Sequence, residues 1–182
     1  MLTTTKRDTG PADSPAAAEG AVSALRAISL FSGGGFAEEA LRLASLQIGI
    51  PCEVVMAVDN WALAARVRDA NLPGVRTTVR DVKRMTREDL PPHDLVIGGP
   101  PCQDHSLAGK RACHCNFGCV PVERCCLLDF QRLALGSAWL MENVRPRLIR
   151  DGWSERFCAA DFGDVTSRKR WFYSSHNDES GT

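Results

Sequence analysis

A short apolar run, Ala27-Ile28-Ser29-Leu30-Phe31, breaks directly into Ser32-Gly33-Gly34-Gly35. A stretch of helical periodicity follows, with Ala37, Ala40, Leu41 and Ala44 on one face. Strand, glycine turn and helix in that order commit the chain to crossover connections, and the pattern recurs. Glu53 to Val58 reads as a buried strand, Trp61 to Asn71 as a helix stopped by Pro73-Gly74, and Val75 to Val79 as a third strand. Asp94 to Gly98 reads as a fourth strand, Leu127 to Leu135 as a helix and Ala138 to Met141 as a fifth strand. Phe157 to Ala160 and Trp171 to Ser174 read as two more. Strands alternating with helices predict an α/β fold with a doubly wound, mostly parallel sheet.

The expected organisation is one domain over 25–175, between a flexible tail at 1–24 and a polar tail at 176–182. Hydrophobic residues at 44% and charged residues at 24% suit a packed domain rather than a disordered chain. A formal net charge of zero gives no bulk attraction to nucleic acid, so such a role needs a local basic patch. No apolar run approaches the ~20 residues of a membrane span, and no secretory signal is legible. The expected location is the cytoplasm. Six of the eight cysteines fall between Cys102 and Cys126, which points to local chemistry rather than a disulfide framework.

In an open parallel sheet, ligands bind beyond the carboxyl ends of the strands. The turn Phe31-Ser32-Gly33-Gly34-Gly35 occupies that place after the first strand, and glycines there let the backbone approach a ligand. Asp59, with Asn60 beside it, follows the second strand and suits the two hydroxyls of a ribose. Asp81, after the third, suits an adenine amino group. Gly99-Pro100-Pro101-Cys102-Gln103 follows the fourth strand, and its prolines fix a thiol at the same edge. Met141-Glu142-Asn143-Val144 brings a carboxylate there, and Ser167-Arg168-Lys169-Arg170 precedes the last strand.

These blocks, in this order over roughly 27–175, resemble the DNA cytosine-5 methyltransferases. The resemblance implies a Rossmann-like methyltransferase fold in abbreviated form, using S-adenosylmethionine. The cofactor contacts it implies are Phe31, Ser32, Gly33, Gly34, Gly35, Asp59, Asn60, Asp81 and Pro100. It makes Cys102 the catalytic nucleophile, with Glu142, Arg168 and Arg170 as its partners. The implied substrate is DNA, with the target cytosine extruded from the duplex. The thiolate is the reactive form of Cys102, and it adds to carbon 6 of the base so that carbon 5 becomes nucleophilic. Glu142 stabilises the ring at N3, Arg168 holds the O2 oxygen, and Arg170 supports it or a phosphate. The setting expected from the resemblance is restriction–modification.

The chain departs from the family pattern where Val165 and Thr166 replace a proline and a glutamine. It looks like a catalytic core without the family's target-recognition region, so a second polypeptide supplying recognition is one expectation. A partner-dependent or inactive form that binds only cofactor or nucleic acid is the alternative. No metal is expected. The zinc candidates are Cys113, Cys115, Cys119 and Cys125, whose spacing lacks the paired Cys-x2-Cys knuckles of a zinc ribbon.

Overall fold

The computed structural model describes residues 23–101, 113–114, 118–119, 126–144 and 152–175. The predicted tails therefore lie outside the described residues, apart from residues 23 and 24. The described elements are β1 (Leu25–Leu30), α1 (Phe36–Ile48), β2 (Cys52–Asp59), α2 (Ala62–Asn71), β3 (Thr77–Val79) and β4 (Leu95–Gly98). There follow β5 (Cys113–His114), β6 (Gly118–Cys119), α3 (Cys126–Ala134), β7 (Ala138–Asn143), β8 (Trp153–Cys158) and β9 (Lys169–Ser174).

Seven strands form one sheet in the order β3-β2-β1-β4-β7-β9-β8, while β5 and β6 form a separate antiparallel ribbon. Strands β1 to β4 and β7 pair in parallel, in registers such as Leu30↔Val58, Ser29↔Ile97 and Ile97↔Leu140. The chain winds outward from β1 through β2 to β3, then returns to β4 and winds the other way to β7. The order therefore switches between β1 and β4, where a ligand crevice opens in folds of this kind.

Two predicted strands need correction. The penultimate strand is Trp153–Cys158 rather than Phe157 to Ala160, and Ala159–Phe162 is a 3₁₀ turn. The last strand, β9, runs antiparallel to both β7 and β8. Residues 159–168 are too few for a helical crossover, so β9 folds back beside β8.

The main core lies on the face that α3 covers. Leu127, Phe130, Leu133 and Ala134 of α3 are buried at helical spacing against Leu30, Val96, Met141 and Tyr173. Phe130 is fully buried and meets Trp139 edge to face, with ring centroids 6.2 Å apart. Helix α1 departs from its predicted amphipathicity. Ala37, Ala40 and Ala44 are exposed, and its buried residue is Glu38. Glycine caps both of its ends: Gly35 at φ 88° and Gly49 at φ 72°. Among the described residues, no helix is long and apolar enough to cross a membrane.

Candidate active site

The strand ends at the β1/β4 switch surround a cleft of about 740 Å³. That is within the ~300–1,000 Å³ of small-molecule sites. Of the residues picked out in the sequence, Phe31, Gly33, Asp59, Asn60 and Asp81 line it. Ser32, Gly34, Gly35 and Pro100 are not among the lining residues. Gly99 and Pro101, from the proline turn picked out in the sequence, line it too, as do Trp61, Val82, Lys83 and Cys126, which sequence reasoning missed. Trp61 is 63% exposed, which only its place beyond β2 makes informative.

The glycine loop is held open by the chain's own hydrogen bonds. Gly33 N donates to Asp59 Oδ2 at 2.8 Å, and Trp61 N donates to Oδ1 of the same carboxylate at 2.8 Å. Ser32 N donates to Val58 O at 3.0 Å. Asp59 thus ties the loop after β1 to the turn after β2. Each carboxylate oxygen keeps a second lone pair for a ligand hydroxyl. Phe31 sits at φ 55°, the one non-glycine residue with positive φ among those described. Strain of this kind concentrates at ligand-facing positions. Asp81 caps the 3₁₀ turn Val82–Arg84 by accepting from Lys83 N at 3.0 Å. Arg132 of α3 anchors that turn through a 2.6 Å bond to Met85 O.

Ser32 Oγ is buried with no hydrogen-bond partner among the described residues. An acidic acceptor at each of two strand ends, a backbone opened by glycine and two aromatic rings at the rim fit a nucleoside-type cofactor. The Gly-rich turn is the part that lets the backbone approach such a ligand closely.

The second half of the site begins at Gly99. A Cβ there would lie 3.4 Å from Glu142 Oε2, so Gly99 is a thin wall between the cleft and that carboxylate. At Gly98 an added Cβ would overlap the Leu30 carbonyl oxygen, so β4 and β1 meet too closely there for any side chain. Asn143 is 1% exposed. Its Nδ2 donates to Pro100 O at 3.2 Å, and its Oδ1 accepts from Val144 N at 2.8 Å. The amide therefore bolts the proline turn to the strand that carries Glu142.

Arg170 Nε lies 2.7 Å from Glu142 Oε1. The two charges touch, but Oε1 receives no well-directed hydrogen bond and remains a buried oxygen without a donor. Burial pushes the Glu142 carboxyl above the ordinary carboxylate range, and the nearby Arg170 and Arg168 only partly offset this. The carboxyl is thus biased toward holding a proton. Arg168 is exposed, at the mouth of an apolar hollow of about 430 Å³ lined by Phe157, Phe162 and Phe172.

Cys102 lies outside the described residues, directly after Pro101 of the cleft lining. Cys115 and Cys125 also lie outside them, while Cys113 and Cys119 oppose each other in the β5–β6 ribbon. Among the described residues, no group of three or more His, Cys, Asp or Glu is placed to hold a metal ion.

The family model of C-5 cytosine-specific DNA methylases matches residues 25–146, from β1 through the Glu142 strand. The chain belongs to this family. Among its relatives, the Type II methyltransferase M.HgiGI of Herpetosiphon aurantiacus is 36% identical over 139 residues, covering 69% of this chain and 96% of that protein. M.HgiDI of the same organism is also 36% identical over 139 residues, but only 39% of its length is covered. A solved prophage-encoded protein of E. coli, described as a DNA modification methyltransferase, superposes with a TM-score of 0.60 at 26% identity. That match covers 83% of this chain and 46% of the other. The S. pombe Dnmt2 methyltransferase shares the fold with a TM-score of 0.60 at 20% identity, covering 85% and 50% of the two chains. The chain thus spans about half or less of most of these relatives, and the shared part is the α/β methyltransferase core.

Proposed function

We propose that the protein transfers a methyl group from S-adenosylmethionine to carbon 5 of cytosine in DNA. One observation carries this reading: the Glu142–Arg170 pair is separated from a nucleoside-type cleft only by Gly99, and the chain passes from there through Pro101 to Cys102. Family membership supplies the reaction class, and the similarity to the Type II methyltransferases of Herpetosiphon supports a restriction–modification setting. A cytoplasmic, nucleoid-bound location follows from the proposed substrate.

The cofactor, when bound, supplies an electrophilic methyl on a sulfonium. Asp59 and Asp81 would hold its ribose and adenine, and Gly33 and Phe31 line the same cleft. The Cys102 thiolate forms a bond to carbon 6 of the extruded cytosine, and the pair of electrons displaced toward the ring makes carbon 5 nucleophilic. Glu142 shares its proton with ring N3 as charge develops there, which its upward-shifted pKa favours. Arg170, in contact with Glu142, is the better placed of the two arginines for the O2 oxygen, and Arg168 is left to a phosphate at the rim. After transfer, a base removes the carbon 5 proton, the carbon 6–sulfur bond breaks and the thiolate is regenerated.

The test is incubation with labelled S-adenosylmethionine and cytosine-containing duplex DNA, alongside trapping on DNA carrying 5-fluorocytosine. Label on carbon 5 and a covalent protein–DNA adduct, both lost in Cys102→Ser, are the expected result. Full methylation by Cys102→Ser would remove the mechanism. A second polypeptide for target recognition forms no part of this reading.

A further inference from the structure

Behind the glycine loop lies a buried ion pair that the catalytic steps do not use. Arg68 of α2 is 3% exposed in its side chain and Glu38 of α1 is 2% exposed. Arg68 Nε and Nη2 both donate to Glu38 Oε2, at 2.8 and 2.5 Å. Its Nη1 donates to Val75 O and, at 3.2 Å, to Asp69 Oδ1. That Asp69 oxygen also accepts from Thr77 N at 2.9 Å and Thr77 Oγ1 at 2.7 Å.

Stability alone gives little reason for this arrangement. Removing two charges from water is costly, and a well-packed apolar pair of similar volume generally serves as well or better. Glu38 Oε1 is moreover buried with no hydrogen-bond partner. What the network does is geometric. A Cβ on Gly35 would lie 2.9 Å from Arg68 Cγ and 2.6 Å from Leu72 Cδ1, so the Arg68 stem is packed directly beneath the loop. Glu38 belongs to the first turn of α1, which starts from that loop. Val75 leads into β3, Thr77 is its first residue, and Asp81 follows two residues past its end. One guanidinium therefore fixes the glycine loop, the helix after Asp59 and the strand before Asp81 relative to one another.

We infer that Arg68, held by Glu38, is a positioning residue for the cofactor: it sets the spacing between the Gly33–Gly35 loop, Asp59 and Asp81. The inference rests on the cofactor assignment of the proposed function. It is tested with the full chain carrying Glu38→Leu together with Arg68→Met, which removes both charges at similar volume. S-adenosylmethionine affinity is read by calorimetry and backbone exposure by hydrogen exchange. The folded double variant is expected to bind about tenfold more weakly, equal to about 1.4 kcal/mol. Exchange is expected to quicken at 32–35 and 77–81 while β4 and β7 stay protected.

Unchanged affinity with unchanged local exchange would overturn the inference, as would exchange that quickens uniformly across the sheet. If the parent binds no cofactor, the proposed function fails on its own account, and the exchange pattern still decides whether Arg68 positions these segments. Should the double variant not fold, Arg68→Lys carries the same measurements. A lysine keeps the charge but cannot fork to Glu38, Asp69 and the Val75 carbonyl together.

Discussion

Replacing Asn143 by alanine removes two hydrogen bonds from a site that is 1% exposed. The Pro100 carbonyl loses its donor in a buried place. A buried polar group left unpaired costs about 1–3 kcal/mol. The Val144 N–H also loses its acceptor, but Val144 is only half-buried and water recovers part of that bond. The expected loss is about 2–3 kcal/mol, or about 4–12 °C of melting temperature for a chain of this size. The functional loss is expected to be larger than the stability loss suggests. Asn143 ties Pro100, two residues before Cys102, to the residue beside Glu142, and a displacement of about 1 Å between reacting groups costs about 100-fold in rate.

Urea denaturation reads the first quantity, and the rate of adduct formation on 5-fluorocytosine DNA reads the second. S-adenosylmethionine affinity is measured alongside, since Gly99 and Pro101, on either side of Pro100, line the cleft. Asn143→Asp sharpens the test. It keeps the shape but sets an acceptor against the Pro100 carbonyl, so it is expected to do no better than alanine. If Asn143→Ala stays within about 0.5 kcal/mol of the parent and forms adduct at the parental rate, the bolt between the two turns does not exist.

Glu142→Gln is expected to slow methyl transfer by about 100- to 10,000-fold, the scale of a lost general acid. It also changes the pH dependence of stability. The folded pKa of Glu142 is raised, so its contribution is fully present below the unfolded value of about 4.3 and is lost as pH rises through the folded value. The parent should therefore lose stability relative to the Gln variant on going from about pH 4 toward neutrality, read from urea midpoints across that range. Phe130→Ala empties the centre of the main core and should cost about 3–5 kcal/mol in the same assay. Gly35→Ala combines positive φ with overlap on Leu72 and Arg68 and should weaken cofactor binding strongly. Gly49→Ala has positive φ but open space around it, so it should cost only about 1–2 kcal/mol and leave binding unchanged.

Much of the sheet was legible because buried parallel strands appear as short apolar runs ending in glycine or proline. Val96-Ile97-Gly98 and its following prolines are the clearest case. The face of α1 was not legible. Its alanines and leucines have the right spacing for burial, yet the buried member is Glu38, whose partner Arg68 is 30 residues away in sequence. A long-range ion pair leaves no local periodicity to detect. The same limit hid Trp61 and Lys83, whose proximity to Asp59 and Asp81 becomes informative only once β2 and β3 are known to end at one edge. Asn143 stood inside a recognised block, but its work is a side-chain bond to a carbonyl 43 positions earlier.

The two arginines show where sequence and register part company. Residues two apart on a strand share a face, so Arg170 and Phe172 point to the side of the sheet where Glu142, paired with Phe172, also points. Arg168 lies just before the strand, in continuation of that row. Spacing alone leaves either arginine eligible to meet the carboxylate. Register decides between them. Arg170 sits one diagonal step from Glu142, and the side chains meet at 2.7 Å. Each further pair of residues adds about 6–7 Å along the strand, which carries Arg168 past that carboxylate to the rim. Arg168 still acts on Glu142 through space, drawing its pKa down against the effect of burial. The antiparallel course of β9 makes this possible. A parallel strand at the same place would bring its carboxyl end to the cleft and leave Arg168 and Arg170, at its amino end, at the opposite edge of the sheet.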